Sequence, residues 1–289
     1  MVGVPSVAAG GTASAIVPLG DVGWSSCDLQ ASPVICPRAD LHGRNLRGFD
    51  LRQAILRYAN LSDTRLVKAN LTKADLSYAN LTDTYALAAN LAQANLRYAD
   101  LTKAALHGAN LTNANLRHAV LTDAYLNNAY LSRADLTGAV LTDANLHRAN
   151  LTDANLHRAN LTDAYMLLAT LIRAKLIGAS LNNTELDGAN LTEANLTNAN
   201  LTRADLSETA IGGGANLTRA NFTGANLTGA DLAGGKYGSG DYPGANLTGA
   251  NLTNANLTNA NLTSVNLTGV TWTGATCPDG LKGPYPCAS

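Results

Sequence analysis

The chain has 289 residues, of which 46% are apolar, and a formal net charge of −1; this excludes a wholly disordered polypeptide and gives no support to a nucleic-acid binder. Aromatic residues make up only 5% and charged residues 14%, too few for a core of large interlocking side chains, so a repetitive architecture is expected. No apolar run reaches the roughly 18 residues of a membrane-spanning helix.

The N-terminal segment is small, apolar and uncharged. Ala13-Ser14-Ala15 has the A-x-A form of a signal-peptidase site, although no basic segment precedes it. Residues 1–15 therefore read as the remnant of a secretory leader, with a mature start near Ile16; the alternative is a Gly/Ala-rich leader on a cytoplasmic protein. Residues 16–38 read as an N-terminal cap holding Trp24, Cys27 and Cys36. Cys277 and Cys287 lie at the other end, in a C-terminal cap at 275–289. An even count of cysteines, clustered at the two ends, points to two local disulfides in an oxidising compartment.

Between the caps, at 39–274, a large apolar residue recurs every five positions, from Leu41 to Ile211 and, after one extra residue in Gly212-Gly213-Gly214, from Leu217 to Trp272. Of these 47 units, 40 carry Leu at the centre, and 37 carry Ala two residues earlier. The unit is A-[N/D]-L-x-x, with Thr or Ser often after the Leu. A period of five is neither that of a strand nor that of a helix, so each pentapeptide must be a structural segment of its own. One unit buries almost nothing, and stability must come from stacking successive coils into a solenoid.

The segments ANLTKADLSYANL, ANLTNANLRHAVL and ANLTGANLTNANL resemble the pentapeptide-repeat proteins, and the likeness extends over residues 39–274. It implies an all-β fold, a right-handed quadrilateral β-helix of four pentapeptides per coil with Leu and Ala inside. Forty-seven units would then give about 12 coils and a rod about 55 Å long. Two breaks are expected: a register slip at 211–214, and atypical repeats at 233–244, where Tyr237 and Tyr242 hold the Leu positions and Gly235 and Gly240 those of Ala. The first predicts a bulge and the second a protruding loop. A four-cysteine zinc site does not suit a rod, because the two pairs would stand at opposite ends.

In a coil of four pentapeptides, side chains four units apart stack in columns and those two units apart face opposite ways. The exact duplication LTDANLHRAN at 141–160 therefore holds no joint site for His147 and His157, and no constellation of nucleophile, base and orienting group emerges; a non-enzymatic protein without cofactor or metal is expected. Two columns are candidate interaction surfaces. Tyr58, Tyr78, Tyr98 and His118 form one, beside Arg57, Arg97 and Arg117, where rings and guanidinium groups can stack on a partner. Asp83, Asp123, Asp143 and Asp163 belong to a second, interrupted by Lys103. Rows of Thr such as Thr82, Thr102, Thr122, Thr142 and Thr162 admit ice binding as a remote alternative.

The expected role is an exported interaction scaffold with an unidentified protein or surface partner, self-association of rods being open. The alternative implied by the resemblance is a DNA mimic that binds type II topoisomerases and protects them from drugs. Residues 38–120 carry 11 Lys and Arg against 6 Asp, which departs from the acidic character of such mimics.

Overall fold

Each pentapeptide makes one corner. In the computed structural model, which describes residues 16–17, 27–209, 213–237, 240–282 and 287, Ala54 N–H donates to the Leu51 carbonyl and Ala59 N–H to the Leu56 carbonyl, both at 3.1 Å. The residue just before each Ala has a positive φ, 57° at Gln53 and 59° at Tyr58. This bond with a left-handed third residue is a type II turn.

The Asn of the repeat unit serves that turn. Asn70 Oδ1 accepts the Thr72 N–H at 3.1 Å and the Thr72 hydroxyl at 2.6 Å, which explains why Asn precedes Leu and Thr follows it. The amide nitrogen is left for the neighbouring coil, as where Asn115 Nδ2 donates to Asn95 Oδ1 at 3.1 Å.

The same positions carry the rungs between coils. Single-residue parallel bridges join Asn60 to Asn80 and Asn80 to Asp100, so each coil takes up four pentapeptides. Leu and Ala point inward: from Leu91 to Leu206 no central residue is more than 1% exposed. Burial of each Leu is worth roughly 1.5–3 kcal/mol. Thr64, Thr84 and Thr184 stand in Ala positions and are fully buried. Their hydroxyls donate to the carbonyls of Leu41, Leu61 and Leu161 at 2.8–2.9 Å, so a polar atom is buried without an unmade bond.

The coil is longer at both ends than the sequence reading allows. Ile35 bridges to Ile55 and Asn256 to Thr276, so Cys36 and Cys277 occupy the inward central positions of terminal pentapeptides, and the caps do not begin at 38 and 275. Cys36 bonds to Cys27 and Cys277 to Cys287. Each bridge ties an inward position to the cap beyond it. β1 (Ile16–Val17) pairs antiparallel with β2 (Cys27–Asp28) at the first end. Trp272 fills a Leu position near the last end, at 6% exposure; Trp24 and residues 1–15 lie outside the described residues.

Both breaks are larger than a slip. The rung after Asp205 falls at Asp231 and the next at Asn261, each later in the chain than the regular step allows. The coil closes directly across each insertion: Ala215 N–H donates to Leu206 O at 2.9 Å and Ala245 N–H to Leu232 O at 2.8 Å. These replace the usual corner bonds, so the coil closes across six and ten extra residues of chain. The units centred on Tyr237 and Tyr242 thus leave the coil, and the expected exchange of Tyr for Leu and Gly for Ala does not occur; Ile211 lies outside the described residues. Residues Gly235–Tyr237 (β3) and Gly240–Tyr242 (β4) instead form an antiparallel hairpin. The two insertions emerge at the same corner of successive coils and touch, Gly214 N–H donating to Pro243 O at 2.9 Å.

Candidate interaction surface

Tyr58, Tyr78, Tyr98 and His118 occupy the left-handed corner position of four successive coils, with φ of 56–60°. An L-residue there costs roughly 1–2 kcal/mol, and an aromatic one has no local hydrogen bond to offset it. The rings do meet each other. Successive centroids lie 4.9, 5.0 and 5.0 Å apart, with interplanar angles of 11°, 18° and 12°, and each stacked pair returns about 0.5–1.5 kcal/mol. The column remains open to solvent, Tyr58 being 51% and Tyr98 39% exposed.

Guanidinium groups flank this column. Arg38, one rung before Tyr58, lies 5.6 Å from that ring's centroid, and Arg97 lies 4.8 Å from the centroid of Tyr98. Arg57 is turned to Asp75 at 3.2 Å and Arg117 to Asp135 at 3.1 Å. Burial raises the Asp135 carboxyl, but hydrogen bonds from Thr137 and Arg117 more than offset this and hold it below the usual carboxylate range. Of the three arginines expected beside the rings, two therefore serve carboxylates and Arg97 alone serves a ring.

The second column follows the same backbone logic. Asp63, Asp83, Lys103, Asp123, Asp143 and Asp163 all have φ of 54–59°, a conformation that Asp tolerates better than most residues. Asp is thus explained in part by the turn before any partner is invoked. Thr102 and Thr162 sit in turns and donate their hydroxyls to Asp100 and Asn160 at 2.6 and 2.7 Å, which takes them out of a free hydroxyl array. His147 and His157 are two pentapeptides apart in a coil of four, and so stand on opposite faces.

A third column escapes the sequence reading. Tyr85, Ala105, Tyr125, Asn145 and Tyr165 are bridged in series, and the three tyrosines are 51%, 53% and 46% exposed. Together with Asp83, Lys103 and Asp123, the residues Tyr85, Ala105 and Tyr125 line a groove of about 390 Å³. Tyrosine in the Asn position at every second coil was the signal available. Among the described residues no group of three His, Cys, Asp or Glu could hold a metal ion, and no helix is long and apolar enough to cross a membrane.

A parallel solenoid with one-residue rungs and a type II turn every fifth residue defines a class of repeat protein. The pentapeptide-repeat family model matches in 8 copies over residues 36–72, 74–113, 99–138, 129–167, 169–207, 213–235 and 241–275, and the chain belongs to that family. Among solved structures it is similar to HetL, a pentapeptide repeat protein involved in heterocyst differentiation regulation from Nostoc sp. strain PCC 7120, with 36% identity over 78% of this chain and 92% of that one at a TM-score of 0.28. QnrB1, a plasmid-mediated fluoroquinolone resistance protein, matches at 18% identity over 82% of this chain and 89% of its own, TM-score 0.27. A pentapeptide repeat protein of the Arabidopsis thaliana thylakoid lumen matches at 32% over 41% and 68%, TM-score 0.18. No curated protein matches the chain significantly.

Proposed function

We propose that the protein is a non-enzymatic, exported interaction scaffold: a right-handed quadrilateral rod of about 11 to 12 coils whose stacked corner columns bind a protein partner. The observation that carries this reading is the Tyr58, Tyr78, Tyr98 and His118 column. Bulky rings are kept in left-handed positions that Gly, Asn or Asp fill more cheaply, and they are kept at the surface. Export is supported by the two end disulfides, Cys27 to Cys36 and Cys277 to Cys287, which suit an oxidising compartment.

Charge is what favours this over a topoisomerase-binding DNA mimic. The aromatic column is flanked by Arg38 and Arg97, and a surface imitating phosphate has no use for guanidinium groups. The test is cross-linking capture from the producing cell with the intact chain and with a Tyr58→Ser, Tyr98→Ser double variant. A partner held by the first and lost by the second supports the proposal. Equal capture by both, or inhibition of gyrase supercoiling by the purified protein, overturns it, as do free thiols in the protein isolated from its source.

A further inference from the structure

The groove over Ala105 is a second place where the rod is built to meet something. We propose that it receives an arginine side chain of a protein partner, the guanidinium lying between Tyr85 and Tyr125 with its charge against Asp83 and Asp123. This deepens the scaffold reading and rests on it.

The register comes first. Tyr85, Ala105 and Tyr125 occupy equivalent positions on three successive coils, so the two tyrosines are two rungs apart, roughly 9.6 Å at 4.8 Å per rung. In the Tyr58 column an interval of two rungs is filled by one ring: Tyr78 lies 4.9 Å from Tyr58 and 5.0 Å from Tyr98. At Ala105 the middle member is a methyl group, which leaves a space one planar group deep, open to solvent.

The molecule itself shows what else accepts such a rung. Arg38 takes the rung next to Tyr58 and places its guanidinium 5.6 Å from the ring centroid; Arg97 lies 4.8 Å from that of Tyr98. A planar cation is thus an alternative to an aromatic ring at this spacing. Between Tyr85 and Tyr125 it would meet two ring walls instead of one.

Charge then chooses between ring and cation. The corner column beside the groove reads Asp83, Lys103, Asp123, Asp143 and Asp163, and the salt bridges among the described residues include neither Asp83 nor Asp123. Both carboxylates can therefore pair with an incoming cation. Lys103, between them, opposes that cation, but its four-carbon stem lets the ammonium swing clear. An arginine fork suits carboxylate and ring together, whereas a lysine ammonium stacks poorly.

The test is an NMR titration of the full chain with the blocked pentapeptide Gly-Gly-Arg-Gly-Gly and with its Lys and citrulline counterparts. The Arg peptide is expected to shift the ring resonances of Tyr85 and Tyr125 saturably. The Lys and citrulline peptides are expected to bind roughly five-fold more weakly or worse, for want of a planar cation. Ala105→Tyr should fill the rung and abolish the effect, Tyr125→Ala should weaken it, and Lys103→Ala should tighten it. Equal binding of Arg and citrulline, equal binding of Arg and Lys, an unchanged titration in Ala105→Tyr, or no saturable shift overturns the proposal. Tyr125→Ala keeps the test decisive if Ala105→Tyr does not fold. Because the peptide assay needs no cellular partner, it can fail while capture through the Tyr58 column succeeds.

Discussion

His118 ends its column by leaning over Gly138. A Cβ placed on Gly138 would stand 2.6 Å from His118 Nδ1, so the imidazole can occupy its stacked position only because the next rung has no side chain. Gly138 also has a φ of +65°, which adds the left-handed penalty to any substitution. Gly138→Ala is expected to destabilise the protein by about 1–2 kcal/mol in denaturant unfolding and to move the His118 ring off Tyr98. Loss of the ring-current shift between those two residues is the readout.

Replacing Tyr78 should separate binding from stability. Tyr78→Gly removes two stacked contacts worth about 0.5–1.5 kcal/mol each and relieves a left-handed backbone cost of about 1–2 kcal/mol. The two effects nearly cancel, so the unfolding free energy should change by less than about 1 kcal/mol while partner capture falls. A loss well above that would make the column a structural device.

Reduction should loosen the ends and leave the middle alone. Each bridge closes a loop of about ten residues, worth roughly 2–3 kcal/mol in the chain-entropy model, and each holds an inward central position, Cys36 or Cys277, to its cap. In a solenoid every coil is stabilised by its neighbours. Hydrogen exchange after reduction should therefore quicken in the first and last coils, with amides such as Leu146 still protected.

Excision of both insertions should preserve the rod. Deleting 209–214 and 235–244 together leaves two residues between Leu206 and Ala215 and between Leu232 and Ala245, the ordinary corner length. Because Gly214 bonds to Pro243, the double deletion is expected to be better tolerated than either single one. Far-UV circular dichroism and the melting temperature check this; loss of folding in the double deletion would mean that the insertions brace the coils.

Acidification should stabilise the region beside the first insertion. Burial, reinforced by Asp205 and Glu185, pushes the Asp187 carboxyl up to about 6 from an ordinary 3.8. Between those values the folded chain binds more protons than the unfolded one, so stability rises as pH falls from above 6 towards 4. Above 6 the penalty is fully present. Asp187→Asn should raise the melting temperature at pH 7.5 and flatten its rise on mild acidification; an unchanged profile would show that the carboxyl is well solvated.

Much of this was legible because the repeat writes its own contacts. Ala and Leu two residues apart point to the same side in extended backbone, and columns four pentapeptides apart follow from any four-cornered coil, so the Tyr58 column and the cysteine pairs were visible in the chain. The loop at the second break was anticipated, but its residues were also counted as repeat units because Tyr237 and Tyr242 continue the spacing of five by coincidence. Periodicity cannot tell a residue that points inward from one that has left the coil. Tyr85 and Tyr125 were missed for a related reason: the Asn position appears as turn chemistry, and only stacking makes Ala105 a gap.

The sequence by itself determined the repeat unit and the inward residues, since each depends on local spacing, and the columns followed once the resemblance supplied four units per coil. Only the tertiary structure decided where the coil closes across an insertion, that Cys36 belongs to the core and Cys277 packs against it, and which exposed side chains have company. These depend on which carbonyl an amide reaches, as Ala245 reaches Leu232 across the whole second insertion. No pattern of side chains along the chain specifies that choice; the rung above and below does.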